Sequence, residues 1–217
     1  MQNFAAAIIV FTGGFIIMVL EIIGARFLAK YFGSSFYIWV SQIGLVLVAL
    51  SAGYYIGGTL ADKWKRLARL AWLLIPAGIL ICAIPNFDSL LYAITDRHPL
   101  DVPVPVFWQK TDPVLGSALV FFIPCVALAT LSPYMIRLCT RNIEQVGHAS
   151  GMIFAASTVG SIGGVFVSGF ILIEYVGLSN IFRITGALTI ALGILCIVMD
   201  QWVPARQRSL SNPASKS

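Results

Sequence analysis

The sequence predicts an all-α polytopic membrane protein with six transmembrane helices. Six nearly uninterrupted apolar stretches each approach the roughly 20 residues with which an α-helix crosses about 30 Å of hydrocarbon. Apolar residues make up 59% of the chain and charged residues only 11%, whereas a soluble domain carries about 25% charged residues. A water-facing surface therefore cannot be built from this composition.

The predicted spans are separated by short polar segments, and they are residues 4–24, 36–61, 67–87, 113–136, 149–174 and 180–200. Together they form one six-helix transmembrane domain over residues 1–203. Residues 204–217 are rich in Ser, Pro, Arg and Lys and predict a disordered cytoplasmic tail. The four cysteines and two histidines show no metal-ligand spacing, so the sequence predicts no metal site and no cofactor.

The distribution of Lys and Arg predicts the orientation. Placing both termini in the cytoplasm puts nine of the 14 basic residues on the inner side and five on the outer side, as expected for a cytoplasmic excess of positive charge. The net charge of +5 is spread over loops rather than gathered on one face, which argues against a nucleic-acid partner. The first span lacks a basic n-region and a small-residue cleavage site, so we expect a retained helix rather than a signal peptide. The predicted location is the cell's inner membrane, with the lipid bilayer as the main surrounding partner.

The only long connection, residues 88–112, divides the chain into two triplets of helices. Its run of prolines between residues 96 and 105 opposes regular helix. Because three is odd, the second triplet must cross the membrane in the opposite sense to the first. This is the inverted-repeat arrangement of many transporter folds.

Two glycine pairs stand at matching places in the triplets. Gly53 and Gly57 form a GxxxG motif in span two, and Gly160 and Gly164 form one in span five. Small residues at this spacing let helix backbones approach closely in lipid. The pairs are predicted helix-packing residues, either as traces of an inverted repeat or as two independent packing motifs.

The segment after span two, from Gly58 through Asp62 to Arg66, resembles the loop between the second and third helices of major facilitator transporters. A glycine of that family pattern is missing here, and Lys65 stands near its place. The resemblance implies a 3+3 bundle equivalent to one half of a major facilitator fold. At the membrane edge, Asp62 can accept charge-assisted hydrogen bonds, and Arg137 is the predicted partner. The alternative is an ordinary basic loop with one incidental acid.

Several blocks, in order from residue 21 to about 177, resemble the membrane region of fused major facilitator and spermidine-synthase-like proteins. The blocks are residues 21–35 with Trp39, 131–134 with Arg137, 146–151, 157–163 and 169–170. In the fused proteins a soluble aminopropyltransferase-like domain follows. Here the glycine cluster of residues 160–164 falls within a predicted membrane helix, where it cannot cradle a nucleotide as a strand-to-helix turn does. We therefore expect no aminopropyl transfer by this polypeptide alone.

Four charged residues form a predicted polar cluster at the outer mouth of the bundle. Glu21 costs on the order of 3 kcal/mol at the bilayer centre, so it is expected to face protein or a water-filled cavity. Arg26 follows five residues later and does not share its helix face. Glu174 and Arg183 are the predicted partners on other helices, and all four are candidate substrate-binding residues. The alternative is that Glu21 lies near the interface and snorkels to water.

The sequence favours a non-catalytic integral membrane module of the spermidine-synthase-like family. It would bind or pass a small polar metabolite, cationic ones included, together with a partner protein. Half of a facilitator fold needs a second half, so a homodimer or a hetero-complex is expected. The alternative is a structural or assembly subunit that scaffolds a larger membrane complex without transport, which the scarcity of intramembrane charge favours. No catalytic constellation is present in the sequence, so an enzyme is not predicted.

Overall fold

A computed structural model describes residues 2–64, 66–98, 104–140 and 146–202, and all regular structure in these ranges is helical. The helices that are long and apolar enough to span a membrane are Phe4–Phe32, Phe36–Trp64, Leu67–Asn86, Val106–Cys139, Val146–Tyr175 and Leu178–Gln201. The predicted all-α fold is therefore confirmed for these ranges, and it contains six helices that are long and apolar enough to span a membrane. The tail predicted over residues 204–217 lies outside the described residues.

Span one is longer than its predicted range because its helix continues past the last apolar run. Helix α1 covers Gln2–Phe32, and the exposed Arg26 and Lys30 stand in its last two turns. Leu28, between them, is fully buried, so these turns pack against the bundle while the cations reach water. Gly33 has a φ of +79°, a conformation that glycine adopts readily because it has no Cβ. It turns the chain into the second helix.

Span two is the single helix α2, Phe36–Trp64. Span three is assembled from a 3-10 turn at Leu67–Leu70, helix α3 at Ala71–Ala83 and a second 3-10 turn at Ile84–Asn86. Pro76 lies inside α3, where its missing N–H removes one backbone hydrogen bond from the helix.

The connection predicted over residues 88–112 is partly helical. Helix α4 covers Asp88–Thr95, and helix α5 already begins at Val106. Span four therefore starts about two turns before its predicted beginning at residue 113. The polar residues 109–112 lower the local hydropathy without opposing a helix, and Pro105 directly before α5 is compatible with a helix start.

Span four contains a local break in its last third. Helix α5 covers Val106–Ala129, and helix α6 covers Leu131–Cys139. Pro133 has no N–H to donate to the carbonyl of residue 129, four positions earlier, and α5 ends there. The hydroxyl of Thr130 donates to the carbonyl of Ala127 at 2.7 Å, which satisfies a second carbonyl beside the break.

Spans five and six complete the bundle. Helix α7 covers Val146–Val167 and continues through a π-helical turn at Ser168–Leu172 into the short helix α8, Ile173–Tyr175. Helix α9 covers Leu178–Trp202.

Each helix of the first triplet lies mainly against one helix of the second. Span one packs on span five, span two on span four, and span three on span six, with spans one and four also in contact. The apolar core between them includes Leu20, Leu74, Phe121 and Phe182, all nearly or fully buried. Spans that are consecutive in the sequence are therefore not each other's main packing partners.

Both predicted glycine pairs lie at these contacts. A methyl group at Gly57 would stand 2.7 Å from the carbonyl oxygen of Thr130 on span four, and one at Gly164 would stand 2.5 Å from that of Phe15 on span one. Gly53 meets Val126 and Ala129 of span four, and Gly160 meets Phe11 of span one. Residue numbers increase together across both contacts, so the paired helices run parallel.

Candidate functional site

A cavity of about 280 Å³ opens at the end of the bundle that carries the 88–112 connection. We name it the aromatic pocket, and its wall includes Tyr31, Phe32, Tyr37, His98, Trp108 and Asp112. These residues come from the ends of α1, α2 and α5 and from the turn after α4. The volume is close to the lower end of the range of about 300–1,000 Å³ that small-molecule sites occupy.

Asp112 places a buried carboxylate in the pocket wall. The residue is only 4% exposed. Arg97 donates from Nη2 to Oδ1 at 3.2 Å, and His98 Nε2 lies 2.7 Å from Oδ2. Such partners are needed because an unpaired buried charge is strongly destabilising. Arg97 and His98 both belong to the turn after α4, so Asp112 fastens this turn to the first turns of α5.

Three exposed cations stand over aromatic rings of the pocket wall. The pairs are Lys30 with Tyr31, Arg97 with Trp108 and Lys110 with Tyr37, at 5.1, 5.8 and 5.5 Å from the ring centroids. All three distances fall within the limit of about 6 Å at which a ring face attracts a cation. Each ring therefore interacts with a cationic side chain that remains exposed to water.

Tyr31 joins the pocket to α4. Its hydroxyl donates a hydrogen bond to Asp88, and Lys30 Nζ lies 3.6 Å from Oδ1 of the same carboxylate. The ring of Tyr31 also meets Tyr92 edge to face, with centroids 5.1 Å apart. These contacts attach α4 to the end of α1, and they therefore fix the position of the turn that carries Arg97.

Polar groups continue from the pocket into the bundle. Ser117 lies about 7.5 Å beyond Asp112 along α5, and its hydroxyl donates to Gln42 Oε1 at 2.9 Å. Gln42 Nε2 lies 3.5 Å from the carbonyl oxygen of Leu20. Gln42 and Ser117 are both fully buried. This network joins spans one, two and four directly beneath the pocket.

The four residues of the predicted outer cluster occupy three helices. Glu21 and Arg26 lie on α1, Glu174 on α8 and Arg183 on α9. Arg26, Glu174 and Arg183 are exposed, and Glu21 is half-buried. Among the ion pairs and side-chain hydrogen bonds of the described ranges, none joins two of these residues. Their role in substrate binding stays a prediction.

The surroundings of Gly24 locate the Glu21 side of α1. Residues three apart share a helix face, and Gly24 follows Glu21 at that spacing. A methyl group at Gly24 would stand 2.6 Å from Gln42 Nε2 and 2.9 Å from Cζ of Phe121. This face of α1 therefore meets spans two and four beside the buried Gln42 and Ser117 network.

The opposite end of the bundle contains the predicted loop pair. Arg137 Nε lies 2.9 Å from Oδ1 of Asp62, and both side chains are exposed. Arg66 contributes its carbonyl, which accepts a hydrogen bond from the buried Tyr134 at 2.6 Å. The loop therefore contacts span four through backbone and side chain. Gly58 has open space beside it, and a specific role for it stays a prediction.

Sequence reasoning did not identify His98 and Asp112 as members of a site. No short spacing marks them, since they are separated by the proline-rich run and meet only because α5 begins before residue 113. One available signal was an acidic residue followed by proline at the start of an apolar span, at positions 112 and 113. Hydropathy alone assigned this acid to the loop.

Comparisons with protein-family models, with curated proteins and with solved structures give no match for this chain.

Proposed function

We propose that this chain is a non-catalytic integral membrane module that binds or passes a small polar metabolite, cationic ones included, together with a partner protein. The observation that carries the proposal is the aromatic pocket, in which the buried carboxylate of Asp112 lies among Tyr31, Tyr37 and Trp108. Aromatic faces combined with a carboxylate suit an organic cation. The buried hydrogen bond between Gln42 and Ser117 lies beneath the pocket, toward the bundle centre.

The half-facilitator architecture is part of the proposal. In a 3+3 inverted repeat, spans one, two and three correspond to spans four, five and six. When each span is exchanged for its counterpart, the contact between spans one and five becomes the contact between spans four and two. The contact between spans three and six becomes itself, so all three main contacts agree with the repeat. The two glycine pairs obey the same exchange. The agreement favours an internal repeat over two independent packing motifs.

Family, orientation and assembly complete the proposal. The sequence blocks between residues 21 and 177 support a membrane module of the spermidine-synthase-like family. The loop charges support cytoplasmic termini in the inner membrane, and with this orientation the aromatic pocket opens outward. A six-helix half-bundle is expected to work as a homodimer or with another membrane or soluble subunit.

The test is gentle detergent extraction from native membranes, followed by mass spectrometry of the small molecules and proteins that remain bound. The wild-type chain is expected to retain a polar metabolite that the Asp112→Asn variant loses. Asp96→Asn is the matched control, since Asp96 is exposed and is expected to leave retention unchanged. Equal retention by the Asp112→Asn variant would contradict binding in this pocket. Uptake in proteoliposomes then distinguishes passage from binding alone.

A scaffold subunit is the second candidate function. Span five is the least buried of the six spans, and it exposes Phe154, Val159 and Phe166. Such a face can meet lipid or the helix of another subunit. Stable co-purification with a multi-subunit complex, without flux of any substrate in proteoliposomes, would favour this function over metabolite binding.

A further inference from the structure

The guanidinium of Arg97 does not line the aromatic pocket, but it contacts two residues of the pocket wall. It donates to the Asp112 carboxylate at 3.2 Å and stands 5.8 Å from the centroid of the Trp108 ring. A carboxylate and an aromatic face are the two groups that recognise a flat organic cation. Arg97 therefore makes the contacts that such a ligand would need.

The charge of the pocket depends on this contact. Asp112 is the one carboxylate among the described residues of the wall, and Arg97 neutralises it. His98 Nε2 lies on the other oxygen at 2.7 Å. If Arg97 turned away, the pocket would present a buried negative charge that retains the His98 contact. A cation that enters would then restore neutrality.

Arg97 is the solvent-exposed partner of the pair, so it is the group that another cation can replace. Its side chain is 47% exposed, and its other contacts are the Nε hydrogen bond to the carbonyl of Ile94 at 3.1 Å and the ring of Trp108. Its guanidinium can therefore exchange the carboxylate for water. Asp112, at 6% side-chain exposure, cannot make the same exchange. The arginine is the movable partner of the pair, and the aspartate is the fixed one.

We propose that Arg97 is an intramolecular competitor that occupies the Asp112 carboxylate until a small, flat organic cation of the amidinium or guanidinium type displaces it. This inference rests on the proposed function, since it takes the aromatic pocket as the binding site. It adds the charge and shape of the ligand, and it adds a residue whose removal strengthens binding.

Three probes of one shape and different charge test the ligand class: benzamidinium, benzamide and benzoate. Their dissociation constants are measured by titration calorimetry on the chain in lipid nanodiscs. The wild-type chain is expected to prefer benzamidinium over the other two. Asp112→Asn is expected to remove this preference. Tighter binding of benzoate than of benzamidinium would assign the pocket to an anion, such as a lipid phosphate, and would overturn the proposal.

The Arg97→Gln variant tests the competition. It is expected to bind benzamidinium about tenfold more tightly than the wild type, since one unit charge at short range is removed from a partly screened site. Benzamide should change by less than about twofold, because it carries no charge. Arg97→Lys keeps the charge in place and is expected to stay near the wild-type affinity.

Lys110→Gln is the matched control. Lys110 is another exposed cation over an aromatic ring of the pocket wall, 5.5 Å from the Tyr37 centroid. It makes no ion pair with Asp112. If its removal strengthens benzamidinium binding as much as removal of Arg97, surface charge explains the effect and the competitor role is wrong. If wild type and Arg97→Gln bind benzamidinium equally, the competitor role fails while the binding function stands. If no probe binds either protein, both fail.

Discussion

Replacement of Gly160 by alanine is expected to force spans one and five apart. The added methyl carbon would stand 2.7 Å from the carbonyl carbon of Phe11 and 2.9 Å from its Cα, whereas non-bonded carbon atoms prefer about 3.5–4.0 Å. The clashing atoms belong to the backbone of α1, so no change of rotamer relieves them. The two helices must therefore separate by about 1 Å.

The cost follows from overpacking at a contact that cannot relax. Overpacking typically costs about 1–3 kcal/mol, while alanine gains up to about 1 kcal/mol over glycine as a helix former. The separation also loosens the contact of Gly164 with Phe15, one turn further along the same helix pair. We expect a net loss of stability of about 1–2 kcal/mol.

Thermal unfolding in mild detergent, followed by circular dichroism, measures this loss. Gly163→Ala is the matched control in the same helix, because a methyl group there would stand 3.8 Å from its nearest neighbour, Cδ2 of Phe15. This control is expected to be as stable as the wild type or slightly more stable. If Gly160→Ala unfolds at the same temperature as Gly163→Ala, the close approach of spans one and five is refuted.

Further substitutions test two individual hydrogen bonds. Gln42→Leu and Ser117→Ala are each expected to destabilise the bundle by about 0.5–1.5 kcal/mol. The double mutant should lose less stability than the sum of the two single mutants, because both substitutions remove the same hydrogen bond. Additive losses measured by thermal unfolding would exclude this hydrogen bond. Tyr134→Phe is expected to lower stability by about 1 kcal/mol, because it removes the hydrogen bond to the Arg66 carbonyl. Tyr55→Phe, at an exposed tyrosine, is its control, and equal unfolding temperatures for the two variants would contradict this reasoning.

The spans were predictable because the hydrocarbon thickness sets helix length and excludes charge. Their ends were less predictable, since hydropathy ends a span where polar residues begin, although a helix can continue there. Span one shows this at Arg26 and Lys30, which extend beyond the apolar run while Leu28 stays buried. Span four shows it at Asp112, which lies inside α5.

Asp62 pairs with Arg137 in the structure, as expected. This pair was predictable because the C-terminal ends of spans two and four must lie on the same side of the membrane. Arg137 was the cation that this constraint offered. The aromatic pocket is different, since it depends on which helices touch. Tyr31, His98 and Trp108 are brought together by the packing of α1, α4 and α5, and hydropathy carries no information about neighbours in the bundle plane.

The pairing of spans across the two triplets also governs how the protein is made. The ribosome delivers spans one, two and three before any of their main neighbours exists. From the end of α2 to the end of span four, synthesis at about 5–20 residues per second takes on the order of ten seconds. During this time the glycine faces of α2 meet only lipid or the insertion machinery. Assembly is therefore a late, collective step, and a nascent chain that stops before span four lacks all three main contacts of the bundle.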